Sequence, residues 1–181
     1  SQYEFDALGR VIWNKQVTTG GAADGYVFGG SSASVQEGYV YNLADGLTNM
    51  RYPSGKEVTF SYNNHGQVLK VGLGSVDDHY VEETSYHPHG ALEWMKLGNG
   101  TKESHTFNSR LQPTSIGSEV TASQATLLML QNTYGATNNN GNVLTQMISA
   151  PKTAGGLLTL TQTYGTAGDD AVNRLTDAAE S

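Results

Sequence analysis

One short pattern recurs along this 181-residue chain and limits its fold more than any bulk property does. It is an aromatic residue, a turn-forming polar residue, a glycine four residues after the aromatic, then an aliphatic pair or near-pair. It reads as Phe5-Asp6-Ala7-Leu8-Gly9-Arg10-Val11-Ile12, as Tyr62-Asn63-Asn64-His65-Gly66-Gln67-Val68-Leu69, and as Tyr86-His87-Pro88-His89-Gly90-Ala91-Leu92. Looser copies begin at Tyr41, Phe107, Tyr134 and Tyr164, so successive copies lie 36, 21, 24, 21, 27 and 30 residues apart. A shift of 45 residues also superposes Leu47 on Leu92, Met50 on Met95, Gly55 on Gly100 and Asn63 on Asn108. Such periods mark stacked supersecondary units.

The physics of one unit is that of a β-hairpin. The aromatic ends an incoming strand and buries a ring. The Asp or Asn caps the turn through backbone two residues on. The glycine supplies a backbone conformation that side chains disfavour. The aliphatic residue opens the returning strand, and stacking completes a core that no single unit has. Between copies, Glu57–Tyr62 alternates with Val58, Phe60 and Tyr62 on one face, and Leu158, Leu160 and Tyr164 alternate with threonines. Tyr39, Tyr41 and Leu43 form a third alternating set. Asn99-Gly100 predicts a hairpin, since both residues tolerate positive φ, and Pro53-Ser54-Gly55 and Asn138-Asn139-Asn140-Gly141 predict further turns. Residues 20–37, rich in Gly and Ser, read as a loop excursion. Only Ser118 to Asn132 invites a helix. Its Leu127-Leu128-Met129-Leu130 run lacks a 3.6 period, and we prefer a loop followed by a buried strand.

The chain resembles the YD-repeat, or Rhs-repeat, family. Phe5-Asp6-Ala7-Leu8-Gly9-Arg10-Val11 is similar to the family's Tyr-Asp-x-x-Gly-Arg-Leu core, and Asp170-Ala171-Val172-Asn173-Arg174-Leu175 to a variant with Asn for Gly. Tyr52–Tyr62 resembles the hairpin between motifs. The Tyr41 copy reads as carrying one extra residue before Gly46, and the Phe107 copy as having lost its glycine. The resemblance implies an all-β fold: tandem hairpins in a spiralling antiparallel sheet, a solenoid or shell. It implies one repeat region over 1–181, cut from a longer exported or cell-surface bacterial chain. The motif residues it implies are Phe5, Asp6, Gly9, Arg10, Tyr41, Tyr62, Gly66, Tyr86, Gly90, Phe107, Tyr134, Gly141, Tyr164 and Arg174. Some family members enclose a toxin released by self-cleavage near an Asp-Pro pair, which this sequence lacks.

Little is left over for chemistry. With no Cys, thiol catalysis and Cys-ligated metal are excluded. A net charge of −7 disfavours nucleic acid as a partner. No apolar run is long enough to span a membrane as a helix. His87 and His89, with His65 or His79, would need a third converging ligand to hold a metal. They read as solvated turn residues, so no metal or other cofactor is expected. His105 aligns with Phe60 and should point inward. Asp77-Asp78 and Asp169-Asp170 read as loop charges and not as an acid/base pair. Trp13 and Trp94 each follow a motif glycine by four residues. They fit repeat packing, or stacking on a sugar.

The sequence therefore predicts a non-enzymatic structural module of a secreted or cell-surface assembly: scaffold, shell wall or self-associating fibre. Its expected partners are copies of itself or neighbouring repeats, through strand edges. A carbohydrate-binding or adhesion module is the alternative, and a polysaccharide-active enzyme ranks below both.

Overall fold

Turn-forming residues every ten or so positions leave only strands between them, and a computed structural model shows strands as the sole regular elements among the described residues. The structure describes residues 1–16, 26–28, 38–73, 75–137, 139–164 and 178–181, without the side chains of 26–28 and 75–78. In chain order the strands are β1 (Gln2–Phe5), β2 (Val11–Gln16), β3 (Tyr26–Phe28), β4 (Tyr39–Tyr41), β5 (Leu47–Arg51), β6 (Glu57–Tyr62), β7 (Val68–Leu73) and β8 (Ser75–Tyr86). There follow β9 (Leu92–Leu97), β10 (Thr101–Phe107), β11 (Pro113–Val120), β12 (Ala125–Tyr134), β13 (Val143–Pro151), β14 (Leu157–Tyr164) and β15 (Ala178–Glu180). Hydrogen-bonded neighbours follow chain order, β1 to β3 in one sheet and β4 to β15 in another. Every pairing of defined register is antiparallel. The all-β, tandem-hairpin expectation is met.

Two units divide the chain, Ser1–Thr84 and Ser85–Ser181. Among the described residues of the first, Trp13 (6% exposed) and Val58 (5%) are the buried apolar side chains. In the second, β11 and β12 pair around a turn at 121–124, so the segment that could have been a helix is strand on both sides of that turn. The buried strand expected there is corrected: Leu127 and Leu128 are 39% and 42% exposed. Alternation puts half of each strand's side chains on each face, and those of Leu127 and Leu128 are only partly covered. Leu43, expected on a strand face, sits wholly exposed in a turn. Within 20–37, Tyr26–Phe28 pairs with β2, and the rest lies outside the described residues.

The hairpins share one turn. Asp6 N–H donates to the Arg10 carbonyl (2.9 Å) and Gly9 N–H to the Asp6 carbonyl (3.0 Å). The same pair of bonds closes the turns at 42–46, 52–56, 63–67, 87–91, 108–112 and 152–156. This is the three-residue hairpin loop, a tight turn followed by one residue of positive φ. Gly9, Gly55, Gly66, Gly90, Gly100 and Gly155 take that position. The Tyr41 turn has no inserted residue, contrary to expectation. Asp45 takes the left-handed position (φ 61°), and Gly46 stands where Arg10 stands in the first copy. In the Phe107 turn Leu111 does so (φ 62°). The hairpin expected at Asn99-Gly100 forms: its loop is residues 98–100, between β9 and β10, and Gly100 takes the positive φ.

A β-carbon on Gly66 would touch nothing, so replacing it tests backbone strain alone. Gly66→Ala should lower unfolding free energy by about 1 kcal/mol. Leu111→Gly, at an exposed side chain, should instead raise it, by up to about 1 kcal/mol. Urea titration of both variants checks the opposite signs.

Candidate functional site

The recurring aromatic does more than bury a ring. At five copies the strand register slips by one residue at the aromatic itself: Phe5 pairs with Val11, Tyr41 with Leu47, Tyr62 with Val68, Phe107 with Pro113 and Tyr134 with Val143. The residue after each partner (Ile12, Thr48, Leu69, Thr114 or Leu144) is the extra one of a β-bulge. This accounts for the aliphatic pair in the motif. Its first member pairs with the ring and its second is the bulged residue.

A bulge interrupts the ladder, and a phenol hydroxyl supplies a donor there. Tyr41 Oη donates to the Val11 carbonyl (2.9 Å), Tyr62 Oη to Leu47 (2.7 Å) and Tyr134 Oη to Pro113 (2.9 Å). Each acceptor is the residue opposite the aromatic of the preceding copy. Every such tyrosine thus ties its own hairpin back to the one before. The Val68 carbonyl accepts from the hydroxyl of buried Thr84 (2.6 Å). Tyr164 departs from the pattern and donates to Gln162 Oε1. Phe5 and Phe107 carry no hydroxyl.

The turn residues reach forward. Asp6 Oδ1 accepts from the backbone N–H of Leu8 and of Arg10, both at 2.9 Å, and the Asn side chains at 42, 63 and 108 accept two N–H bonds in the same way. Arg10 then leaves its own turn. Its Nε holds Asp6 Oδ2 at 2.6 Å, its Nη1 donates to the Asn42 carbonyl and Asp45 Oδ1, and its guanidinium lies 4.9 Å from the Tyr41 ring centroid. The Arg10 backbone N–H and then its guanidinium outweigh burial and hold the Asp6 carboxyl below its usual value. In the other unit Arg110 Nη1 donates to the Asn139 carbonyl, and the Gln112 and Asn139 amides bond each other twice.

Gly66, Gly90 and Gly141 occupy turns with positive φ. Tyr86 ends β8. Arg174 and Asp169-Asp170 lie outside the described residues. Asp77-Asp78, expected as loop charges, lie instead on strand β8, with their side chains outside the described residues. His87 and His89 stack at 5.3 Å against the edge of Phe107, and the His87 ring Nε2–H donates to the His105 carbonyl. His105 is half-buried, with Nδ1 buried and unbonded. His65 is exposed in its turn. No three metal-ligating side chains converge among the described residues. Trp13 is 6% exposed and offers no open ring face, and the Lys102 ammonium lies 5.1 Å from the Trp94 ring centroid. Sequence reasoning placed the motif residues but missed the hydroxyl ladder and the Arg10 clamp. Tyrosine in place of Phe at most copies was the available signal.

No family model and no curated protein sequence matches this chain. Solved structures do. A TcdB2-TccC3 structure superposes with a TM-score of 0.72 at 16% identity over 96% of this chain. A TcdB2-TccC3-Cdc42 structure gives 0.71 at 15% over 96%. The Photorhabdus luminescens Tc holotoxin pore carrying a TccC3-D651A mutation gives 0.61 at 14% over 96%. The chain spans only 9% to 10% of the length of those chains. At these identities the likeness is one of fold.

Tyr62→Phe leaves the Leu47 carbonyl without this donor and should cost about 1 kcal/mol. Phe107→Tyr, which completes no described bond, should not gain as much. Thermal unfolding of the two variants checks this. Asp6→Asn keeps the turn, as Asn42, Asn63 and Asn108 show, but loses the ion pair. A depressed folded-state pKa stabilises above the unfolded value, so wild type should exceed Asp6→Asn at neutral pH. That advantage should vanish as pH falls below about 3.8, the ordinary carboxyl value. Paired unfolding curves at several pH values would show it.

Proposed function

The chain has the fold of a YD/Rhs-repeat region, and from that premise we propose that it is a wall segment. In this reading it is a structural, non-enzymatic run of hairpins in a longer chain, exported or displayed at the cell surface. One observation carries this. Among the described residues the recurring polar groups are engaged in closing turns or in joining one hairpin to the next, as Arg10, Tyr41, Tyr62 and Tyr134 do. The structural neighbours, which belong to multi-chain Tc toxin complexes, support a module that works by assembly. Their activities are not carried over. A sugar-stacking role gains no support from the placement of Trp13 and Trp94.

An edge strand offers unpaired N–H and C=O groups to another strand. On edge strand β1, Tyr3 and Phe5 are 53% and 58% exposed, whereas the described rings at the other six motif positions are half-buried. We therefore expect the isolated chain to self-associate through this edge. Sedimentation velocity should show mass rising with concentration, and the double change Tyr3→Lys, Phe5→Lys should shift the chain toward monomer. A monomer at every concentration would count against assembly by edge pairing.

A further inference from the structure

We propose that the groove over β6, β7 and β8 in the first unit is a binding site for a small aromatic carboxylate. Its volume is about 440 Å³, within the range of small-ligand clefts. Val58, Phe60 and Val71 supply apolar walls, Tyr52 and Tyr80 supply aromatic rings, and Ser54 and Lys56 supply polar groups. Tyr52 and Lys56 are the two ends of one closed turn, with Tyr52 N–H donating to the Lys56 carbonyl at 2.8 Å. Their backbones are therefore fixed relative to each other before any ligand arrives.

Charge identifies the occupant. Lys56 Nζ lies 4.8 Å from the Tyr80 ring centroid and donates to the Tyr80 hydroxyl oxygen. Among the described residues no carboxylate pairs with it, and neighbouring Glu57 is engaged by Arg51. An ammonium that donates to a phenol oxygen leaves the phenol's own proton free to donate elsewhere. Lys56 N–H and Tyr80 O–H thus form two donors side by side at the edge of an apolar groove. A carboxylate oxygen suits both donors, and a flat ring attached to it suits Tyr52, Phe60 and Tyr80. A sugar would set its hydroxyls against Val58 and Val71, where no donor or acceptor answers them.

The probe is 2-naphthoate, with naphthalene-2-methanol as its neutral counterpart, titrated into isotopically labelled protein and followed by NMR at the Val58 and Val71 methyl groups. Saturable shifts confined to the groove are expected, with the neutral compound weaker by about fivefold or more. Lys56→Gln should abolish that preference while the spectrum stays dispersed, Lys56→Arg should keep it, and Tyr80→Phe should weaken naphthoate more than the alcohol. Shifts that never saturate, shifts scattered over the sheet, or equal binding by Lys56→Gln and wild type would each overturn the site.

Discussion

A hairpin of two short strands is not stable alone in water, so this chain depends on whatever joins one hairpin to the next. The tyrosine hydroxyl does much of that joining. Tyr41, Tyr62 and Tyr134 each cross from their own bulge to a carbonyl opposite the previous copy's aromatic ring. Two demands meet in one residue: the ring covers apolar surface, and the hydroxyl donates to a carbonyl beside the previous copy's bulge. Phe meets only the first demand, which is why Phe107 fills its place without contributing a bond.

The turn is the second fixed element, and it is fixed as a geometry and not as a sequence. Seven turns share one pair of backbone bonds, while the residue closing them is Asp, Asn, His, Tyr or Lys. Asn and Asp add two side-chain bonds to backbone N–H groups. Tyr52 and Lys152 close the same loop without that cap. The left-handed position is equally permissive: glycine in most copies, Asp45 and Leu111 in two. Small costs at single copies are tolerated because each hairpin also rests on its neighbours.

Much of this was legible in the residues. The aromatic, the capping Asn or Asp and the glycine located the hairpins and their order, since each answers a local demand of the backbone. The apparent insertion at Tyr41 misled because glycine was taken to mark the left-handed position, which Asp45 occupies. Leu127 and Leu128 misled because an apolar run suggests a covered strand, while a sheet covers its faces only where something packs on them. The Tyr41-to-Val11 and Arg10-to-Asn42 bonds join residues 30 and 32 apart, a spacing fixed by tertiary placement and not by any local pattern.

The bonds of Tyr41, Tyr62 and Tyr134 run in one direction, each fastening its hairpin to its predecessor. A hairpin lost from the C-terminal end would take its own tyrosine bond with it and leave earlier tyrosine bonds whole, whereas one lost from the middle would strand its successor's hydroxyl without a carbonyl; forward contacts such as Arg10 to Asn42 and Asp45 would be cut in either case. Growth and trimming of such an array by gain or loss of units is therefore easier at its end than in its interior.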